Sequence, residues 1–305
     1  MKYKLLVLDV DGTLLDSEKK ISKRTLAALL KVQQMGVRIV LASGRPTYGL
    51  MPIAKALELG NYGGFILSYN GGQIINAQSG ELLFERRINP EMLPYLEKKS
   101  RKNGFAIFTY HEDTIITDSP ENEHIRREAE LNGLKIIAET EFSIAVDFAP
   151  CKCMLVSDDE EALVGLEDHW RRRLNGALDV FRSEPYFLEV VPCSIDKSNT
   201  LGALLEKLGI NSEEVIAIGD GVCDVMPAGD AQGDVGHKRP AVVQIVAAVR
   251  PALGDVQRGP FVFRRQPEPD DGFAFQAVHR PQCVGVVAID EEDRAGLLRK
   301  TAEVP

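Results

Sequence analysis

Two aspartates separated by a single residue, Asp9 and Asp11, follow the first apolar run of the chain, Tyr3–Leu8. Side chains two residues apart on an extended segment point to the same side, and Gly12 directly after them allows a sharp turn. Two neighbouring carboxylates can divide the work of a reaction, one as nucleophile or metal ligand and the other as general acid or base. The plainer alternative is a helix cap or an ordinary Asp-Gly turn.

Groups suited to an anion occur at two later positions. Ser43 and Gly44 follow an apolar run and precede a predicted helix, where a hydroxyl and free backbone N–H groups can bind phosphate. Ser-Gly is also an ordinary loop signal. Lys197 precedes a leucine-rich helix, where it could neutralise a phosphoryl oxygen, although a single lysine is more often solvated surface.

Two more acids, Asp220 and Asp224, follow the predicted strand Val215–Ile218. Because ligands of open α/β sheets bind at the carboxyl ends of the strands, we expect Asp9, Asp11 and Asp220 around one crevice. Three carboxylates in one crevice would repel one another unless a cation lay between them. A ligand set made only of oxygen indicates Mg²⁺, which also coordinates phosphate oxygens. The sequence therefore predicts magnesium and a phosphate group in the same crevice.

The elements that must position these residues alternate between strand and helix over residues 1–76. Helices are predicted from Ser22, a suitable N-cap, to Gly36, and from Pro46 to about Leu59. The predicted strands around them are the apolar runs Tyr3–Leu8, Val37–Leu41 and Phe65–Tyr69. Such alternation favours a parallel sheet covered by helices. The pattern returns near the carboxyl end with Phe187–Val191, Ser198–Leu208 and Val215–Ile218.

The chain changes character from about Glu81, where shorter strand patterns mix with charged helices. Helices are predicted at Glu121–Leu131 and Glu160–Leu174. The strand predictions are Phe105–Thr109, Thr114–Thr117, Ser143–Phe148 and Cys153–Val156. The mixture predicts a separate α+β unit inserted into the sheet domain.

Taken together, these motifs resemble those of the haloacid dehalogenase superfamily, and of its Cof-type sugar-phosphate phosphatases in particular. The matching motifs are Asp9-Val10-Asp11-Gly12-Thr13-Leu14-Leu15-Asp16, Ser43 in Ser-Gly-Arg-Pro, Lys197, Gly219-Asp220-Gly221-x-x-Asp224, Ser68-Tyr69-Asn70-Gly71 and Ser183-Glu184-Pro185-Tyr186-Phe187-Leu188-Glu189. The resemblance covers residues 1–225. It implies an α/β fold with a Rossmann-like core at 1–83 and 189–225, and a C2-type cap at 84–188 that closes over the site and chooses the substrate.

The resemblance also implies a role for each carboxylate of the crevice. Asp9 would attack phosphorus and form an aspartyl-phosphate, and Asp11 would protonate the leaving oxygen and then activate water. Mg²⁺ would be held by Asp9, the backbone carbonyl of Asp11 and Asp220. Asp224 would orient the lysine or a metal-bound water.

The same resemblance assigns Ser43 and Lys197 to the phosphoryl group, with Gly44 offering a backbone donor. Cys223 stands where the family usually has Asn. Because a thiol is a poor substitute for an amide hydrogen bond, we expect a modest loss of metal affinity.

Residues 226–305 do not continue the family pattern. They hold eight of the 16 prolines, with eight Arg against two Lys, whereas residues 1–225 hold 12 Arg against 14 Lys. Only Ala241–Val249 and Val284–Ile289 have a regular apolar pattern. Our hypothesis is that this tail is atypical because of a shifted reading frame, or is poorly ordered. If neither of the other two frames of the gene restores the family pattern after codon 225, the frame-shift hypothesis is wrong.

Composition narrows the classes of protein to consider. The chain has 305 residues and a net charge of −9, which argues against nucleic-acid binding. It has no apolar run long enough for a membrane span and no signal-peptide pattern. Five cysteines favour a reducing cytoplasm, and we interpret the pair Cys151 and Cys153 as packing residues rather than a metal site.

We therefore predict a Mg²⁺-dependent phosphatase of small phosphorylated metabolites, with sugar phosphates as the first candidates. The alternatives are a catalytically impaired homologue that only binds such a ligand or a partner, and a phosphomutase or phosphotransferase that shares the aspartyl-phosphate. Tyr110, His111 and Lys152 could touch substrate, but ordinary cap surface is the stronger interpretation. The sequence gives no indication of the oligomeric state.

Overall fold

A computed structural model of the protein describes residues 2–219, 242–244, 261–267 and 273–279. The strands are β1 (Leu5–Asp9), β2 (Arg38–Ala42), β3 (Phe65–Ser68), β4 (Gln73–Asn76), β5 (Leu82–Glu85), β6 (Ala106–His111), β7 (Thr114–Thr117), β8 (Lys135–Ala138), β9 (Cys153–Val156), β10 (Leu178–Glu184), β11 (Phe187–Pro192), β12 (Val215–Ile218), β13 (Val242–Gln244), β14 (Phe261–Pro267) and β15 (Phe273–His279).

Seven α-helices lie between the strands of residues 2–219, with short 3₁₀ turns at Leu59–Tyr62, Tyr69–Gly71, Pro90–Met92 and Ser212–Glu214. The helices are α1 (Lys23–Gln34), α2 (Thr47–Ala56), α3 (Leu93–Asn103), α4 (Glu123–Asn132), α5 (Phe142–Ala145), α6 (Glu160–Arg173) and α7 (Lys197–Leu208). None of the helices in these described parts of the chain has the length and apolarity that a membrane crossing needs.

The first sheet has the order β12-β1-β2-β3-β4-β5. Its four strands from β12 to β3 are parallel, as predicted, and β4 and β5 continue it as antiparallel strands. Along β1, Leu5 and Val7 pack toward α7, whereas Leu6 and Leu8 pack toward α1 and α2. Burial on both faces explains why this strand is a continuous apolar run. This sheet with α1, α2 and α7 is called the core unit below.

The first helix begins and ends where the sequence predicts. The Ser22 side chain accepts a hydrogen bond from the backbone N–H of Thr25, which is the N-cap arrangement. Gly36, just after the helix, has a φ of +91°, a conformation that glycine adopts without a steric cost.

The second sheet has the order β10-β11-β9-β6-β7-β8 and lies within the inserted segment. Residues of α3 and α6 cover one face of it around the fully buried Trp170. Cys153 is buried in this cluster, as expected of a packing residue. This sheet with α3–α6 is called the cap unit below.

Two sequence predictions for the cap unit are wrong. The predicted strand Ser143–Phe148 begins instead as helix α5, because the Glu97 carboxylate accepts the backbone N–H groups of Phe142 and Ser143 and so caps a helix there. The core was expected to resume at residue 189, but β11 pairs with β9 and β10. Since this pairing places the whole strand in the second sheet, the cap unit extends to about residue 192.

The tail prediction falls mostly on residues outside those described. Of the two regular apolar patterns in the tail, the structure describes only β13 within Ala241–Val249. The other pattern, Val284–Ile289, lies outside the described residues. Strands β13, β14 and β15 form an antiparallel sheet in that order, with Phe263 opposite Ala277 in the register.

Removing the Trp170 side chain is expected to destabilise the cap unit strongly. Its exposure is 0%, and its Nε1 has no hydrogen-bond partner within the described structure, so the loss comes from packing. Trp170→Ala should lower the free energy of unfolding by about 3–5 kcal/mol. Because Trp170 is the only tryptophan, unfolding is followed by circular dichroism. A loss no larger than that of the exposed control Tyr48→Ala would contradict this packing role.

Candidate active site

The carboxyl ends of β1 and β2 lie side by side at one edge of the first sheet. The register pairs Asp9 with Ala42, so that Ser43 follows immediately beside the first motif. Gly12 has a φ of +80°, which lets the chain turn back sharply after Asp11. The structure thus brings together the ends of the two strands that carry the first two motifs.

Asp9 and Lys197 meet inside the protein, although 188 residues separate them. The Nζ of Lys197 donates to the Oδ1 of Asp9 at 2.6 Å, and the two side chains are 10% and 6% exposed. Asp196, the residue before Lys197, caps the start of helix α7 by accepting the backbone N–H of Asn199. Lys197 is therefore a buried partner of the first carboxylate rather than a solvated surface lysine.

Asp11 lies opposite a second set of cations. The Nε and one terminal nitrogen of Arg45 donate to its two oxygens at 2.7 Å each, and Lys19 Nζ lies 2.9 Å from Oδ1. Partial burial pushes the pKa of Asp11 upward, but the hydrogen bonds from Arg45 and Lys19 outweigh it and hold the pKa below its usual value. Asp11 is accordingly held as a carboxylate.

Ser43 and Gly44 form a tight loop after β2. The buried hydroxyl of Ser43 accepts the backbone N–H of Arg45 at 3.1 Å. A Cβ on Gly44 would lie 2.7 Å from the side-chain oxygen of Asn70, so a larger residue would displace that side chain. Segment Ser43–Arg45 is called the anion loop below.

The cap unit reaches the anion loop through a buried ion pair. Lys152 Nζ donates to the backbone carbonyl of Gly44 at 3.0 Å and lies 3.1 Å from Glu189 Oε2. Asn70 donates to the same Glu189 oxygen at 2.8 Å. The interpretation of Lys152 as ordinary cap surface is wrong, since its side chain is 4% exposed.

Tyr110 is also buried rather than surface, whereas His111 is exposed as expected. The Tyr110 hydroxyl donates to Glu128 at 2.8 Å, and Asn132 donates to the same oxygen. Burial and the Glu128 charge raise the pKa of Tyr110, which keeps it a donor. Burial also raises the pKa of Glu128, and nearby Lys152 opposes that change.

Helix α4 of the cap unit contacts the core unit at Arg45 and at helix α2. A terminal nitrogen of Arg45 donates to the backbone carbonyl of Leu131 at 3.3 Å, so one guanidinium joins the cap to Asp11. Gly49 of α2 faces Asn132 of α4, and an added Cβ there would overlap the Asn132 side-chain oxygen. The two units are in contact above the strand ends.

Asp220, Cys223 and Asp224 lie outside the described residues. The pairing of β1 with β12 is described as far as Leu8 and Ile218. Within the described residues no cluster of three or more His, Cys, Asp or Glu side chains could hold a metal ion. Asp9 and the backbone carbonyl of Asp11 provide only oxygen donors, which fits the donor chemistry of Mg²⁺.

Several residues of this site were not singled out from the sequence, among them Arg45, Asn70 and Glu189. Glu189 did carry a signal, because an acid inside the apolar run Phe187–Val191 must find a buried partner. Arg45 and Asn70 belong to quoted motifs, but nothing in their spacing indicates that they contact Asp11 and Glu189.

Comparison with known proteins agrees with this fold. The sequence model of the haloacid dehalogenase-like hydrolases matches residues 6–226. Because the match spans most of the chain, the protein belongs to this family of hydrolases. The match ends next to the position where the composition of the chain changes.

Individual relatives show how far the similarity extends. A haloacid dehalogenase-like hydrolase from Bacteroides thetaiotaomicron, known as a crystal structure, is 46% identical with a TM-score of 0.69, covering 72% of this chain and 82% of that one. The 5-amino-6-(5-phospho-D-ribitylamino)uracil phosphatase of Bacillus subtilis is 28% identical over 226 residues, 73% of this chain and 78% of its own. Another Bacillus subtilis phosphatase is 28% identical over 273 residues, 81% of this chain and 94% of its own.

Proposed function

We propose that this hydrolase releases phosphate from small phosphorylated metabolites, sugar phosphates first among them, through an aspartyl-phosphate on Asp9. The observation that carries the proposal is the buried contact of 2.6 Å between Asp9 and Lys197, at the end of the strand that neighbours the one Ser43 follows. This arrangement combines a nucleophilic carboxylate with groups that bind an anion. Membership of the phosphoric monoester hydrolases agrees with the phosphatase names of its relatives.

The reaction would proceed in two steps with the residues in hand. An Asp9 oxygen forms a bond to phosphorus while the ester bond breaks, and the leaving oxygen takes a proton from Asp11. A water oxygen then attacks the same phosphorus, Asp11 accepts its proton, and the bond to Asp9 breaks. Lys197 and Ser43 neutralise and orient the phosphoryl oxygens throughout. Positioning and charge neutralisation supply most of the catalysis in such transfers.

Asp11 has the form required by the second step. As a carboxylate paired with Arg45 and Lys19, it can accept a proton from water. Donation in the first step requires that Asp11 first take up a proton from solvent, and so requires release of the contact with Arg45, because that contact stabilises the charged form. The anionic phosphoryl group of a substrate is a suitable competitor for the guanidinium.

A divalent metal completes the proposal. Mg²⁺ would be held by the Asp9 carboxylate, the Asp11 backbone carbonyl and Asp220, and it would neutralise charge on the phosphoryl group. Asp224 and Cys223 would lie next to the metal, with Gly44 as a further backbone donor to phosphate.

A reducing cytoplasm remains the proposed location. The cysteines within the described residues, Cys151, Cys153 and Cys193, are unpaired.

Phosphate release from p-nitrophenyl phosphate and from a panel of sugar phosphates, with Mg²⁺ or with EDTA, tests the proposal. We expect release that depends on Mg²⁺. A folded protein without release would contradict it and favour the impaired homologue. An isomerised sugar phosphate without free phosphate would instead indicate a phosphomutase.

A side chain at Gly49 is expected to impair closure of the cap unit. Gly49→Ala places a Cβ against the Asn132 side chain, 3.0 Å from its Cβ as well as overlapping its amide. We expect KM to rise about tenfold with a smaller change in kcat, since closure contributes to substrate binding. The double variant Gly49→Ala/Asn132→Gly removes the overlap and should recover most of the loss. An unchanged KM in Gly49→Ala would contradict the role of this contact.

A further inference from the structure

A continuous set of hydrogen bonds runs from the cap unit to the hydroxyl of the anion loop. Lys152 Nζ donates to the carbonyl of Gly44 at 3.0 Å. The N–H of that same peptide group, which is the N–H of Arg45, donates to Ser43 Oγ at 3.1 Å. The cap ammonium is therefore one peptide group away from the hydroxyl assigned to the phosphoryl group.

Lys152 is itself held in place by the core and cap together. Glu189 Oε2 accepts from Lys152 Nζ at 3.1 Å and from Asn70 Nδ2 at 2.8 Å. The backbone N–H of Asn70 donates to the carbonyl of Ser43 at 3.0 Å. The Lys152 and Glu189 side chains are 4% and 6% exposed, so solvent screens this pair little.

Polarisation of the Gly44–Arg45 peptide group explains how the Lys152 charge can act on the Ser43 hydroxyl. A cation bound to a peptide carbonyl polarises the group and strengthens donation by its N–H. A serine hydroxyl that accepts this N–H keeps its own proton for another acceptor. In the anion loop, that acceptor would be a phosphoryl oxygen above Ser43.

We propose that Lys152 is a positioning residue of the cap unit that completes the phosphate site when the two units meet. It acts through the Gly44–Arg45 peptide on Ser43, and so on the phosphoryl group that every substrate shares. The inference rests on the proposed function. The Lys152 ammonium already donates to two oxygens and lies 5.6 Å from the Tyr110 ring centroid. Its contacts are therefore with the protein rather than with a leaving group.

Lys152→Met tests this role through two readouts, namely the affinity for inorganic phosphate measured by calorimetry with Mg²⁺, and kcat/KM for substrates with different leaving groups. We expect both to fall about 10- to 100-fold, the effect of one charge-assisted hydrogen bond. The loss of kcat/KM should be the same for every substrate. A loss that varies with the leaving group while phosphate affinity stays unchanged would overturn the proposal in favour of direct substrate contact.

Two further variants separate positioning from stability. Lys152→Met leaves Glu189 buried without its ammonium partner, which destabilises proteins. The variant Lys152→Met/Glu189→Met removes both charges, and we expect it to recover the unfolding midpoint but not the phosphate affinity. Recovery of both would overturn the proposal, because the role would then be structural. Lys135→Met, at an exposed cap lysine paired with Asp113, is the matched control and should change neither readout.

The unaltered protein distinguishes failure of this inference from failure of the proposed function. Phosphate binding that depends on Lys152, without turnover, would contradict the phosphatase and leave the positioning role intact. Turnover and phosphate binding that are both unaffected by Lys152→Met would overturn the positioning role alone. Absence of both turnover and phosphate binding in the unaltered protein would overturn the two together.

Discussion

Replacing Asp9 by Asn is expected to lower phosphate release from p-nitrophenyl phosphate by about 10⁴-fold or more. The amide has nearly the same shape as the carboxylate but cannot act as the nucleophile or carry the charge that faces Lys197. Because the side chain is 6% exposed at the end of β1, no solvent-exposed group can readily take its place. Initial rates of phosphate release with Mg²⁺ measure the effect, and circular dichroism checks the fold.

Asp16→Asn is the matched control for this prediction. Asp16 belongs to the same sequence motif, but its carboxylate accepts the backbone N–H groups of Glu18 and Lys20 in a turn. Asparagine can keep an acceptor oxygen there, so activity close to that of the unaltered protein is expected. A folded Asp9→Asn protein that retains activity comparable to this control would contradict Asp9 as nucleophile.

Replacing Lys197 by Met should lower kcat/KM by about 10²- to 10³-fold, the usual cost of losing one preorganised donor to transition-state charge. The ammonium lies 2.6 Å from Asp9 Oδ1 and is the described group best placed to bind a phosphoryl oxygen beside that carboxylate. Methionine keeps most of the volume and the helical position, so the loss reflects the missing charge. Steady-state kinetics across the substrate panel measure it.

Helix α7 provides the control for that substitution. Lys207 lies in the last turn of the same helix and is exposed. Lys207→Met changes the net charge by the same amount as Lys197→Met, but far from the site, and should leave kcat/KM unchanged. Equal losses in the two variants would mean that Lys197 acts through net charge or helix stability, and its role as phosphate ligand would be wrong.

Much of the core unit could be predicted from local sequence. Strand β1 is apolar from Leu5 to Leu8 because both of its faces are buried, and Ser22 caps α1 where the pattern indicates. Parallel strands place their carboxyl ends together, so the meeting of Asp9 with the Ser43 loop follows from topology alone. Residue types, spacing and this rule were sufficient to place Asp9 beside the Ser43 loop.

Contacts made between distant segments could not be predicted in the same way. Helix α5 forms where Ser143–Phe148 alternates like a strand, because a glutamate 45 residues earlier caps it. Lys152 immediately precedes strand β9 and Glu189 lies in strand β11, and nothing in the local sequence indicates that their side chains meet. Their pairing depends on the order of β9 and β11 in the cap sheet.

Asp9 as the nucleophile is tested by identifying the residue that carries the phosphoryl group during turnover. The protein is mixed with substrate and Mg²⁺, quenched with acid within a turnover and digested, and its peptides are examined by mass spectrometry. We predict one added phosphoryl group on Asp9, absent from Asp9→Asn and removed by hydroxylamine, which cleaves acyl phosphates. Phosphate release with the phosphoryl group on another residue, or with none trapped under conditions that trap it in a related aspartyl-phosphate enzyme, would contradict Asp9 as the nucleophile.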